Sequence, residues 1–125
     1  MKDNVQIVQG LGYIKAKKGT MIPIEEIHKY RDNEILILST GTQGEPRSGL
    51  MRIASGEHKI VKFKLTDTVI FSSSVVPGNE RGVQMLQDDI ARQVDEVYNY
   101  KLLDIHSGGH AREEDLGIVI KLIKP

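Results

Sequence analysis

A chain of 125 residues with no cysteine excludes disulfide frameworks and thiolate metal sites, and its length suits one domain that buries most of a single core. Lys plus Arg equals Asp plus Glu, 17 against 17, which excludes a broadly basic nucleic-acid coat and requires any polyanion to be gripped locally. No apolar run approaches the ~20 residues of a membrane span, no signal-peptide core opens the chain, and Trp is absent, so a cytoplasmic protein without membrane contact or base-stacking platforms is expected.

Val5, Ile7, Val8 and Leu11 recur at helical spacing before Gly12, which predicts a helix with a glycine stop. A basic connector, Ile14 to Met21, follows, and Pro23 opens a short helix to Lys29 with Glu25 and Glu26 at its favourable end. Glu34–Ser39 (EILILS) is a continuous apolar run and predicts a strand buried on both faces. After the loop Thr40-Gly41-Thr42-Gln43-Gly44-Glu45-Pro46 a helix is expected near Ser48 to Ser55, capped by Ser48. His58 to Leu65 alternates in part and predicts an edge strand, and Asp67 to Ser73 a second buried strand.

Ser72-Ser73-Ser74 to Glu80 is the next loop, and Gly78 or Asn79 starts a helix with the stripe Val83, Leu86, Ile90 and Val94. Val94 to Tyr98 and Leu102 to Ile105 read as further strands, and Glu113 to Ile123 as a last helix with Leu116, Val119, Ile120 and Ile123 on one side. Strand, polar loop and helix alternate, which predicts an α/β fold with an open, mainly parallel sheet flanked by helices. Loops that follow the strands of such a sheet gather on one edge, where ligands bind.

Three of those loops share one chemistry: Thr40-Gly41-Thr42-Gln43-Gly44, Ser72-Ser73-Ser74 with Gly78, and Ser107-Gly108-Gly109-His110. Each joins hydroxyls to glycines and carries no carboxylate, a composition suited to phosphate or to a sugar-phosphate backbone. Serine and glycine also punctuate ordinary turns. No Gly-Lys-Ser/Thr ending follows a strand and no dinucleotide fingerprint is present, so ATP and NAD sites are not supported. Lys15, Lys17 and Lys18, and Lys59, Lys62 and Lys64, form basic clusters that read as solvated surface.

The stretch Asp104-Ile105-His106-Ser107-Gly108-Gly109-His110-Ala111 holds two of the chain's four histidines. His106 and His110 stand four apart, but the glycines between them argue against a helix, and no third metal ligand stands at diagnostic spacing. One imidazole acting as a general acid is chemically simpler, because its ordinary pKa of ~6.5 lies near working pH. His28 and His58 lie in charged sequence and are expected to be exposed and without a role.

Five segments in the same order resemble the ribonuclease J family of metallo-β-lactamase-fold nucleases with a β-CASP domain. They are Leu38 to Pro46, Ala54 to His58, Asp67 to Ser74, Pro77 to Glu80, and His106-Ser107-Gly108-Gly109-His110-Ala111. The resemblance runs from Asn4 to Pro125 and implies that residues 1–125 are the latter part of a β-CASP-like domain. It also implies a return toward a metallo-β-lactamase domain that this chain lacks, since no His-x-His-x-Asp-His motif is present.

The resemblance implies a metal-dependent ribonuclease acting in RNA processing and decay, as exonuclease or endonuclease, with this segment inactive alone. Its two zinc ions would be held outside this chain, and none is expected on the segment itself. His110 matches the family histidine that assists departure of the leaving group. Ser72, Ser73 and Ser74 match the wall of a pocket for an RNA 5′-monophosphate. His106, Ser107, Gly108 and Gly109 complete the phosphate- and RNA-binding set; the family reads Val-Ser where Ser107 and Gly108 stand, so the serine is shifted by one position.

The expected partners are single-stranded RNA and the absent domain. An apolar surface is expected where that domain would dock, which leaves a homo-oligomer open. A non-catalytic α/β module that binds a nucleotide or an RNA end is the alternative.

Overall fold

Helix α1 (Lys2–Gly10) opens the computed structural model, which describes residues 2–99, 101–102 and 113–123. With Gly12 at φ +80, Tyr13 N–H donates to the Val8 carbonyl at 3.1 Å and Gly12 N–H to the Gln9 carbonyl at 3.0 Å. This is a Schellman closure, in which glycine takes the left-handed turn and the last carbonyls find donors. Past an irregular connector, the extended backbone of Pro23 leads into a 3-10 turn over Ile24–Lys29, where Glu26 pairs with Lys29 at 3.0 Å. A second 3-10 turn, Asp32–Glu34, is closed by Arg31 N–H donating to Glu34 Oε2 at 3.0 Å.

The Glu34–Ser39 run is not the buried strand its sequence predicts. Ile35 is extended, yet the sheet described contains only β1 (Thr68–Phe71) and β2 (Glu96–Asn99). Leu36 is 83% and Leu38 56% exposed. A strand buried on both faces needs a neighbour along its hydrogen-bonding edge and a layer over each face. The described residues supply neither.

His58–Leu65 does not form the expected edge strand either. The His58 Nδ1 atom accepts the N–H groups of Val61 at 3.0 Å and Ile60 at 3.4 Å, a local side-chain bond that competes with ladder pairing. Val61 is buried and Phe63 packs against the core, so two apolar residues of this segment are used without a strand.

The core is built by a β-α-β unit and one short helix. Helix α2 (Gly49–Ala54) starts at Ser48, whose Oγ accepts the Met51 N–H at 3.3 Å, as its sequence predicts. Parallel strands require a crossover, and α3 (Glu80–Ala91) supplies it between β1 and β2. Val83, Leu86 and Ile90 recur at spacings of three and four, so they share the buried side of α3.

Leu86 and Ile90 join Leu50 of α2, Phe71 of β1 and Val94 in one cluster. Each such side chain contributes about 1.5–3 kcal/mol when fully removed from water. Gln93 Nε2 donates to the Ala54 carbonyl at 2.9 Å, tying the end of α3 to the end of α2. Strand β1 is shorter than predicted, and Phe71 is its one buried residue.

Helix α4 (Glu113–Ile123) forms where predicted, but its apolar side is uncovered: Leu116 is 54%, Ile120 60% and Ile123 69% exposed. The expected strand at Leu102–Ile105 lies outside the described residues, apart from Leu102, which stands in a turn. Among the described residues, no helix is long and apolar enough to cross a membrane.

Candidate functional site

Strands β1 and β2 run parallel with Phe71 opposite Asn99, so both end on the same edge of the sheet. Beyond β2, Asn99 Oδ1 accepts the N–H groups of Lys101 at 3.1 Å and Leu102 at 3.2 Å, closing a turn at that edge. Beyond β1 comes the serine loop, Ser72 to Asn79, and the loop Thr40 to Pro46 lies against it.

The two loops interlock through side chains. Ser73 Oγ donates to Thr42 Oγ1 at 2.7 Å. Gln43 Nε2 donates to the Ser74 carbonyl at 2.7 Å, while Gln43 Oε1 accepts the Val76 N–H at 2.9 Å. One amide side chain thus satisfies a carbonyl and an N–H of the facing loop, as a paired peptide group would. Thr42, Gln43, Ser73 and Ser74 are all half-buried, so these bonds are partly shielded from water.

Glycine makes this packing feasible at two positions. Gly41 has φ +111, and a Cβ there would sit 2.1 Å from Ser48 Oγ, the atom that caps α2. Gly44 has φ +72, and its Cβ would meet the Gly82 backbone of α3 at 3.0 Å. The loop is therefore seated against the starts of both α2 and α3. Leu50 N–H donates to the Thr40 carbonyl at 2.9 Å, fixing its start, and Gly44 N–H donates to the Gly41 carbonyl at 3.1 Å, closing a turn within it.

Two backbone donors of these loops are already engaged. Gln43 N–H donates to Glu45 Oε2 at 3.1 Å, and Gly78 N–H donates to Glu80 Oε2 at 2.8 Å. A carboxylate in the first turn of α3 suits the helix dipole and occupies the place an anion would take there. Ser73 and Ser74 lie at the junction, and Ser72 is exposed beside them with an interaction of its own.

His106, Ser107, Gly108, Gly109 and His110 lie outside the described residues. His58, expected to be exposed, is half-buried, and its Nδ1 is committed to backbone donors. Among the described residues, no three His, Cys, Asp or Glu side chains gather into a metal-ligand set, so this donor set does not fit a zinc ion. The Lys64 ammonium is held above its ordinary 10.5, first by its hydrogen bond to Asp32, which outweighs a desolvation cost, and then by the charges of Asp32 and Asp67. The sequence reading missed the roles of Thr42 and Gln43; the signal available was an amide and a hydroxyl side by side in a glycine-bounded loop.

A parallel β-α-β unit whose β1-end loop interlocks with the Thr40–Pro46 loop through hydroxyl and amide side chains is an α/β fold of the kind that binds ligands at a sheet edge. The family model described as "Ribonuclease J, beta-CASP domain" matches residues 1–90, and the chain belongs to that family. It is 39% identical over 125 residues to a ribonuclease J of Helicobacter pylori, with all of this chain aligned to 18% of that protein. It is 43% identical over 121 residues to ribonuclease J 1 of Streptococcus pyogenes, covering 95% of this chain and 22% of that protein. A ribonuclease J of Synechocystis is 37% identical over 115 residues, covering 92% and 18%. The chain therefore spans about a fifth of the length of these relatives. The family model ends before His106 and His110, whereas the Helicobacter relative aligns through them.

Proposed function

We propose that this chain is the RNA-end-binding portion of a ribonuclease J-type hydrolase that cleaves RNA phosphodiester bonds in RNA processing and decay. The observation that carries the reading is the interlocked Thr42–Gln43 and Ser73–Ser74 junction, at the sheet edge where β2 also ends. Ser72, Ser73 and Ser74 line the pocket that receives the 5′-monophosphate of a single-stranded RNA, and the Ser73 hydroxyl must turn from Thr42 to donate to it. His106, Ser107, Gly108 and Gly109, which follow β2 in the sequence, are proposed to contribute further phosphate and RNA contacts. Small residues there let the sugar-phosphate chain approach the backbone.

His110 is the proposed acid, delivering a proton to the ribose oxygen as the phosphodiester breaks. The partner is a metallo-β-lactamase-fold domain that holds two zinc ions outside this chain, and its chemistry when bound is activation of the attacking water. The uncovered side of α4 and the exposed Leu36 and Leu38 agree with a chain that packs against more protein.

The test uses the full-length protein and a 5′-monophosphorylated oligoribonucleotide. His110→Ala is expected to lower kcat by about 10²–10⁴-fold, the usual contribution of a positioned acid, with KM and metal content preserved. An unchanged kcat would remove His110 from the chemistry.

A further inference from the structure

We infer that Gln43 is a positioning residue for the 5′-phosphate pocket, setting the shape of the serine loop from outside it; this rests on the pocket reading above. The physical ground is the two-point contact of its side-chain amide: Nε2 to the Ser74 carbonyl at 2.7 Å and Oε1 to the Val76 N–H at 2.9 Å. Two bonds in opposite senses to residues two apart fix both the separation and the orientation of the backbone at Ser74–Val76. A single bond would leave that backbone free to rotate about the contact.

The clamp is itself anchored. Gly41 and Gly44, on either side of Gln43, are pressed against Ser48 and against the Gly82 backbone. The Gln43 N–H is held by Glu45 Oε2 at 3.1 Å. A movement of α3 or α2 would therefore be felt by the serine loop through Gln43. Ser73, next to the clamped residues, receives its hydroxyl orientation from Thr42 at 2.7 Å. Gln43 touches no substrate in this arrangement; its effect passes through the loop.

Only an amide of this length fulfils both contacts. Gln43→Glu keeps the acceptor for Val76 N–H but sets a carboxylate oxygen against the Ser74 carbonyl. Gln43→Met keeps the volume and loses both bonds.

The experiment compares full-length wild type, Gln43→Glu and Gln43→Met on one RNA bearing either a 5′-monophosphate or a 5′-hydroxyl. Hydrogen exchange at the Val76 amide is followed in parallel. Both variants are expected to raise KM for the 5′-monophosphorylated RNA and to lower the ratio of kcat/KM between the two substrates by about tenfold, the scale of one lost hydrogen bond. Exchange at Val76 should accelerate while exchange in α3 stays slow. Equal losses on the two substrates, or unaltered Val76 exchange, would overturn the positioning role and leave the pocket standing. A wild-type enzyme that does not distinguish the two RNA ends would overturn the pocket reading and this inference with it.

Discussion

The hydroxyl of Ser73 donates to the hydroxyl of Thr42 at 2.7 Å across 31 positions of sequence, joining two loops that belong to different elements. Both hydroxyls are half-buried, so neither is fully repaid by water when its partner is removed. Thr42→Val keeps the shape and deletes the acceptor, and Ser73→Ala deletes the donor. Each should cost about 1 kcal/mol, and the double variant should cost less than the sum by about 0.5–1.5 kcal/mol. Denaturant unfolding of the four proteins checks this; strict additivity would mean the pair contributes nothing.

Gly41 and Gly78 separate two consequences of the same substitution. Both have positive φ, +111 and +96, but a Cβ at Gly41 meets Ser48 Oγ at 2.1 Å whereas nothing lies within 4 Å of one at Gly78. Gly78→Ala should cost about 1–2 kcal/mol, the backbone term alone. Gly41→Ala adds the displaced cap of α2 and should cost about 1 kcal/mol more. Thermal unfolding of the two variants under one condition gives the comparison, and equal midpoints would contradict it.

Ile90 of α3 is fully buried in the cluster it forms with Leu50 of α2, Phe71 of β1, Leu86 and Val94. Ile90→Ala is expected to lose about 2–5 kcal/mol, from transfer and from the cavity left behind. Leu36, 83% exposed, provides the contrast. Leu36→Ala should change the stability of this chain by no more than about 0.5 kcal/mol. A large loss at Leu36 would indicate burial that the described residues do not provide.

Lys64 pairs with Asp32 at 2.5 Å, tying the segment before β1 to the second 3-10 turn. Because the folded-state pKa is raised above 10.5, the stability this contact adds is fully present below that value. It is lost as pH rises through the higher folded-state value. Both side chains are more than half exposed, so the effect is small and weakens with salt. A side-chain NMR titration should place the Lys64 midpoint above that of an ordinary lysine, and Asp32→Asn should lower it. An identical midpoint in the variant would remove Asp32 as the cause.

Local chemistry was the most legible part of the sequence. The glycine stop at Gly12, the Ser48 cap, the Pro23 start and the stripe Val83, Leu86 and Ile90 each depend on residues a few positions apart, and each stands where expected. The Glu34–Ser39 run misled because apolarity records a demand for burial without saying which chain meets it. His58–Leu65 misled because a histidine could satisfy its backbone locally, which alternation does not reveal. At the candidate site, the composition of the two loops was readable. Their pairing through Thr42–Ser73 and Gln43–Ser74 was not, because contacts across 31 positions leave no local trace.

The most direct test of the pocket is a crystal structure of the full-length protein with a 5′-monophosphorylated oligoribonucleotide. The terminal phosphate should lie within hydrogen-bond distance of the Ser72–Ser74 hydroxyls and of the His106–His110 segment, with Gln43 still spanning Ser74 and Val76. A terminal phosphate bound away from the serine loop, with the RNA otherwise ordered, would contradict the account.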